Sequence, residues 1–303
     1  MEEAQQRDQR KEEFRSIEDD ANRMLAKPFK SNPYHDWQLR LGFPFTTIKN
    51  LIECPRGLEI LSGVAIPKEI DCNRVAANIR MHNKPQPVVN RPQPDVFSRI
   101  YFDIKGPVTP PSLQEIQLVA CIIDFRSHFG FVYPMRNKSE MPEVFKRFWA
   151  DTAPIREKFP ILCVKSDNAG ENKSQALNEF FISKGVRREF STPNRAEQNG
   201  FAELYIRELV RLTRLLLRIS GLPHTFWLRA FLHAADLLNL KPVPTENRLI
   251  TPYEMIHGMK PNVKNYHPFG ISCTVRLNAK TGDTTFKPKG VPAIYLGRAT
   301  DAK

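Results

Sequence analysis

Three acids in a strongly basic chain are the residues best suited to do chemistry: Asp103 at the end of a short apolar run, Asp167 in SDNAGEN and Glu203 in QNGFAE. Thirty-five residues separate the last two. Carboxylates gathered together repel one another and lose hydration. Magnesium relieves both costs, because it is a hard ion that prefers carboxylate oxygens and often keeps water and substrate phosphate in its remaining positions. The chemistry on offer is metal-assisted phosphoryl transfer. Two such ions sit roughly 3.5–4 Å apart, one activating the attacking oxygen and the other stabilising the leaving oxygen. Spacing alone leaves a plainer reading open, in which two of the acids are turn residues and the third a helix-start acid.

The elements that would carry these acids read as alternating strands and helices. Residues 96–104, 116–125 and 130–135 are rich in β-branched and aromatic side chains, and 161–167 is a compact apolar strand ending on Asp167. Asp103 and Asp167 are therefore expected at the carboxyl ends of strands, where open α/β sheets bind ligands. Helices are expected over 140–159, 175–185, 202–219 and 223–238, with a short strand over 185–191. Glu203 opens the 202–219 helix. Arg207, Arg211, Arg214 and Arg218 follow it at steps of three or four, so all five share one face, with Ile206, Leu209, Val210, Thr213, Leu216 and Leu217 opposite. A row of guanidinium groups leading away from a metal-binding acid would track a phosphate backbone without reading bases. The alternative is a solvated charged face. Three early strands followed by alternating strands and helices predict an α/β domain on a mixed sheet.

The 303 residues carry a formal charge of +12, from 45 Lys and Arg against 33 Asp and Glu. Residues 204–303 hold fifteen of the basic residues and only six of the acidic ones. A phosphate polymer is the natural partner for such an excess. Five cysteines form no CxxC pair and give no disulfide framework, which fits a reducing compartment. The sequence has neither a secretory leader at MEEAQQRDQRKEE nor an apolar run of roughly 18–20 residues, so a soluble, intracellular protein without membrane contact is expected.

Five segments are expected along the chain. Residues 1–34 form a charged tail or exposed helix, and 35–83 a small module. Prolines 85, 87, 92 and 94 make 84–95 a semi-rigid linker. Residues 96–265 hold the α/β core with a helical extension, and 266–303 a short β-rich module.

The order YFDIKGP, IIDFRSHFGFVYPM, VKSDNAGEN and STPNRAEQNGFAE resembles the catalytic core of copia-type retrotransposon integrases. The likeness continues through HTFWLRAFLHAADLLNLKP, TPYEMIHGMKPNVKNYHPFG and FKPKGVPAIYLG, covering about residues 35–300. It implies an RNase H-like fold, with a catalytic and metal-binding triad of Asp103, Asp167 and Glu203 served by magnesium or manganese. It also implies DNA as partner, a homo-oligomer when active, and a nuclear site of action, with a cytoplasmic particle as a second location. The activity implied is DNA integration, by 3′-end processing and strand transfer. The family's upstream His-His-Cys-Cys zinc module is degenerate here: its expected ligand positions hold Gln38, Phe43, Cys72 and Val75, so zinc is not expected. The family's arginine after the glutamate is Leu204, and its PQ pair is Ala196-Glu197. These departures favour an impaired enzyme, or a non-catalytic nucleic-acid-binding or assembly module from a decayed or co-opted element.

Overall fold

A computed structural model describes residues 33–51, 94–167, 174–190, 200–245, 248–276 and 290–298. The charged tail or exposed helix up to residue 32, the proline linker up to residue 93, and Cys72 and Val75 lie outside these residues. The core is a five-stranded mixed sheet, β1 (Arg99–Lys105), β2 (Leu118–Asp124), β3 (Gly130–Met135), β4 (Cys163–Ser166) and β5 (Arg187–Phe190). Its order is β3-β2-β1-β4-β5. β1 pairs antiparallel with β2, and β2 with β3, whereas β4 runs parallel to both β1 and β5. This is the RNase H-like architecture the sequence led us to expect.

Both faces of the sheet are covered, which is why β2 is an unbroken buried run, LVACIID, rather than an alternating one. On one face Ile100, Phe102, Ala120 and Ile122 meet Phe145 and Phe148 of helix α3 (Met141–Asp151; α1 and α2 are given below). After the short α4 (Ala153–Arg156), α5 (Gln175–Ser183) adds Leu177 and Phe181 to the same cluster. Ser174 caps α5, its hydroxyl accepting from the Leu177 amide. On the other face Tyr101, Val119, Cys121 and Ile123 meet the long α6 (Gly200–Ser220) and α7 (Trp227–Leu238). Asn239, just past α7, ties it to the sheet edge: its Oδ1 accepts from the Gly130 amide at 2.8 Å and its Nδ2 donates to the Gly130 carbonyl at 2.9 Å.

Of two short helices near the start, α1 (Pro33–Leu41) begins two residues before the expected 35–83 segment and runs into it, and α2 (Phe45–Leu51) lies within it. Their Tyr34, Trp37, Leu41, Ile48 and Leu51 enter the same apolar cluster as Leu209, Leu212, Leu215 and Leu216 of α6. Gly42, at φ +66, lets the turn between them approach so closely that an added Cβ would stand 2.7 Å from a Leu212 methyl. Gln38 and Phe43, at two expected zinc-ligand positions, are buried there.

Downstream, β6 (Val243–Pro244) and β7 (Leu249–Ile250) pair antiparallel. The TPYE segment is the capped start of α8 (Pro252–His257): the Thr251 hydroxyl accepts from the Glu254 amide, and Gly258 at φ 70 ends the helix. β8 (Ser272–Arg276) and β9 (Gly290–Ile294) form the antiparallel pair of the C-terminal segment. Behind β9, Gly297 packs on the buried His233 of α7, whose ring also stacks on Tyr266 and Phe269.

Candidate functional site

Asp103 lies on β1 one step beyond Phe102, so strand alternation puts it on the face of Tyr101, beneath α6. β4 runs parallel alongside, with Tyr101 opposite Lys165. Asp103 is the fifth of the seven residues of β1 and pairs with Cys121, so it lies two residues short of the strand end expected for it, whereas Asp167 directly follows Ser166, the last residue of β4. Glu203 is exposed in the first turn of α6, near the helix's positive end.

An aromatic group seats that first turn. Phe201 meets Tyr101 edge-on at 5.3 Å and Phe125 at 5.0 Å, while Tyr101 stacks on Phe125 at 5.5 Å. The Lys165 ammonium stands 5.7 Å over the Tyr101 ring, so the strand carrying Asp167 braces against the same group. One turn on, Tyr205 packs so tightly over Gly130 that no Cβ fits there.

The three acids share one electrostatic neighbourhood. Burial pushes the Asp103 carboxyl upward; the Ile104 amide, donating to its Oδ1 at 2.7 Å, opposes this, and the charges of Asp167 and Glu203 push it further up. The balance is a pKa raised to about 6. Its neighbour Lys105 opposes the rise without cancelling it. Among the described residues, no three or more His, Cys, Asp or Glu side chains are gathered tightly enough to hold a metal ion. The charges of Asp167 and Glu203 thus reach Asp103, but the three acids do not close into a cage.

The arginine row divides. Arg207, Arg214 and Arg218 are exposed, as a backbone-tracking face requires. Arg211 is not: its side chain is only 17% exposed and its Nη2 donates to Glu208 Oε2 at 3.2 Å. Lys241, beyond α7, reaches the same carboxylate oxygen at 3.2 Å. Burial pushes Glu208 up, but these two cations outweigh it and hold its carboxyl below the ordinary range. The opposite stripe is also deeper than expected: Tyr205, Leu212 and Leu215 are buried, while Ile206 and Val210 are half-buried. Sequence reasoning missed Tyr101, Phe125 and Phe201 as the seat of Glu203. Their signal was the aromatic residue two places before each of Asp103 and Glu203.

No family model matches the chain. It is 28% identical over 253 residues to the retrovirus-related Pol polyprotein from transposon RE1 of Arabidopsis thaliana, covering 82% of this chain and 16% of that one. The corresponding protein from transposon RE2 of the same plant is 26% identical over 251 residues, covering 82% and 17%. That from transposon TNT 1-94 of Nicotiana tabacum is 28% identical over 204 residues, covering 67% and 15%. The chain thus spans about a sixth of the length of the curated relatives it matches. Among solved structures, the catalytic core domain of BIV integrase aligns with a TM-score of 0.39 at 13% identity, over 54% of this chain and 95% of that one. The HTLV-2 integrase catalytic core domain in complex with magnesium gives 0.41 at 16%, over 53% and 97%. The similarity to transposon Pol polyproteins, the order of the motifs and the five-stranded mixed sheet together support an integrase-like catalytic core of the retroviral and retrotransposon kind.

Proposed function

We propose that this chain is a metal-dependent polynucleotidyl transferase acting in DNA integration, with Asp103, Asp167 and Glu203 as catalytic residues and ligands of magnesium or manganese. The observation that supports the reading is the placing of Asp103 on β1, next to the parallel β4 that leads into Asp167, near enough to both Asp167 and Glu203 to feel their charges. Bound there, such ions would ease deprotonation of the attacking oxygen and stabilise the leaving oxygen. In the first step a water oxygen bonds to phosphorus as the P–O3′ bond breaks, leaving a 3′-hydroxyl. In the second, that hydroxyl attacks a phosphodiester of target DNA and displaces its 3′-oxygen.

The chain's own residues have separable tasks. Asp103 and Asp167 offer oxygens from adjacent strands, and Glu203 offers its own from the helix start. Tyr101, Phe125 and Phe201 set the distance between strand and helix. Arg207, Arg214 and Arg218 hold the phosphate backbone in passing. Self-association when active and action in the nucleus, with a cytoplasmic particle as a second location, complete the reading.

A second reading, a non-catalytic nucleic-acid-binding or assembly module, is favoured by the absence of a closed acid cluster among the described residues. The two separate in one assay: manganese- or magnesium-dependent nicking and joining of duplex DNA by the wild-type chain, Asp103→Asn and Glu203→Gln. Activity in the wild type alone supports the enzyme. Binding by all three without cleavage by any supports the module.

A further inference from the structure

Beside the arginine row, α6 presents a second face that the transfer reaction does not use. Phe201, Leu204, Tyr205 and Glu208 fall at helical spacing and form one wall of a cleft. Ile123 of β2, Leu238 of α7 and Pro252 of α8 complete an apolar lining. Polar groups are few and placed at its edge: His128, Glu208 and Lys241. A concave apolar site with a few convergent polar groups is how proteins commonly hold a small planar ligand.

The edge is built rather than incidental. His128 has φ 63, a left-handed backbone that a side-chain-bearing residue rarely adopts. The turn holding it is fixed from inside. Asp124, fully buried, accepts through Oδ2 from the Ser127 amide at 2.7 Å and from its hydroxyl at 2.6 Å. The Ser127 Oγ in turn accepts from the Phe129 amide at 3.1 Å, and the His128 amide donates to the Asp124 carbonyl at 3.0 Å. The imidazole is thereby set edge-on against Phe201 at 5.0 Å. His128 is exposed as a residue, but desolvation by its neighbours, then the charges of Lys241 and Arg126, lower the pKa of its ring.

Charge favours an anionic ligand. Among the described residues the one carboxylate lining the cleft, Glu208, is already matched by Arg211 and Lys241, and Arg126 adds a further cation close to His128. Position favours a polymer. Arg207 stands three residues beyond Leu204 and so beside it on α6, which puts the start of the exposed arginine row next to the rim of the cleft. We propose that this cleft receives one unpaired nucleobase of a DNA strand lying on α6, the base resting on Phe201 and Leu204 with its edge toward His128, and a flanking phosphate on Lys241. Leu204, large and 42% exposed at the rim, is then a base-contacting residue, where a charged side chain would close the apolar lining.

This inference rests on the nucleic-acid half of the proposed function and not on its chemistry. The full chain is titrated with fluorescein-labelled oligothymidylate and with a duplex of equal length, by fluorescence anisotropy, for the wild type, Leu204→Glu and His128→Ala. Each variant should lose single-strand affinity by about fivefold or more while duplex affinity stays within about twofold. Equal losses on both DNAs, or none, overturn the proposal. Should a variant fail to fold, photocrosslinking of 5-iodouracil DNA to the wild-type chain decides: adducts on residues 201–205 or 238–243 support it, and adducts confined elsewhere overturn it. A change in self-association of Leu204→Glu, with both DNA affinities intact, would assign the cleft to a second copy of the chain and also overturn it. Nicking by the wild type and its loss in Glu203→Gln test the catalytic reading by themselves, so its failure is distinguishable from failure of this site, which is read from the affinities alone.

Discussion

Asp103→Asn should make the metal-free protein more stable at neutral pH. Asparagine has nearly the same shape and its Oδ1 can still accept the Ile104 amide, so the change removes charge and little else. The carboxyl is displaced from 3.8 to about 6. At about 1.36 kcal/mol per unit this sets an upper bound near 3 kcal/mol on the cost of ionising it in the fold. Water reaches part of the site, so about 1–2 kcal/mol is the working figure. The folded state binds its proton more tightly than the unfolded chain, so the penalty grows as pH rises from about 4 to about 6 and is complete at pH 7. The assay is urea unfolding of wild type and variant at pH 7 and at pH 4, both with chelator. The variant should gain about 1–2 kcal/mol at pH 7, a few degrees in melting temperature, and nothing at pH 4. Magnesium should then stabilise the wild type and leave the variant nearly unchanged. A variant less stable at pH 7, or a gain that persists at pH 4, would refute the claim that Asp103 is held ionised against burial and its two acidic neighbours.

Three further outcomes follow from packing and charge. Gly130→Ala should cost about 1–3 kcal/mol in urea unfolding, because the new methyl meets the Tyr205 phenol. Arg214→Ala and Arg218→Ala should each reduce the slope of log affinity against log salt by about 1, whereas Arg211→Ala should change it less and lower stability instead. Gly297→Ala, at φ +108 with its methyl 2.9 Å from His233 Nδ1, should loosen β8 in hydrogen exchange while the five-stranded sheet keeps its protection.

Much of the core was legible because its signals are local. β1 to β4 announce themselves by β-branched and aromatic runs, and α6 by its periodicity, each within about three residues of the observed ends. The expected strand end at Asp103 came two residues early, because β1 continues through Ile104 and Lys105, whose pairing with Ala120 and Val119 no local signal shows. What escaped involves partners distant in sequence. A helical wheel for α6 puts Arg211 in the solvated row, but Lys241 and the fold around it draw Glu208 and Arg211 inward. The apolar residues of α1 and α2 read as the small core of a separate module, since nothing local shows that Leu212 and Leu215 are their partners. The seat of Glu203 escaped for the same reason: Tyr101, Phe125 and Phe201 come from three elements, and only the register of the sheet brings them together.

The leucines that α1 and α2 cover have a consequence for where this protein can be cut. The proline-rich stretch at 84–95 invites truncation there, and a fragment beginning at β1 would keep every strand of the sheet and all three acids. It would also uncover Leu209, Leu212, Leu215 and Leu216 along one side of α6. Such a stripe seeks another surface, and a second fragment is the nearest one to hand. Dimers formed by the shortened protein would then report the missing cover rather than the assembly of the whole chain, and the smallest unit fit for measuring oligomeric state begins no later than Pro33.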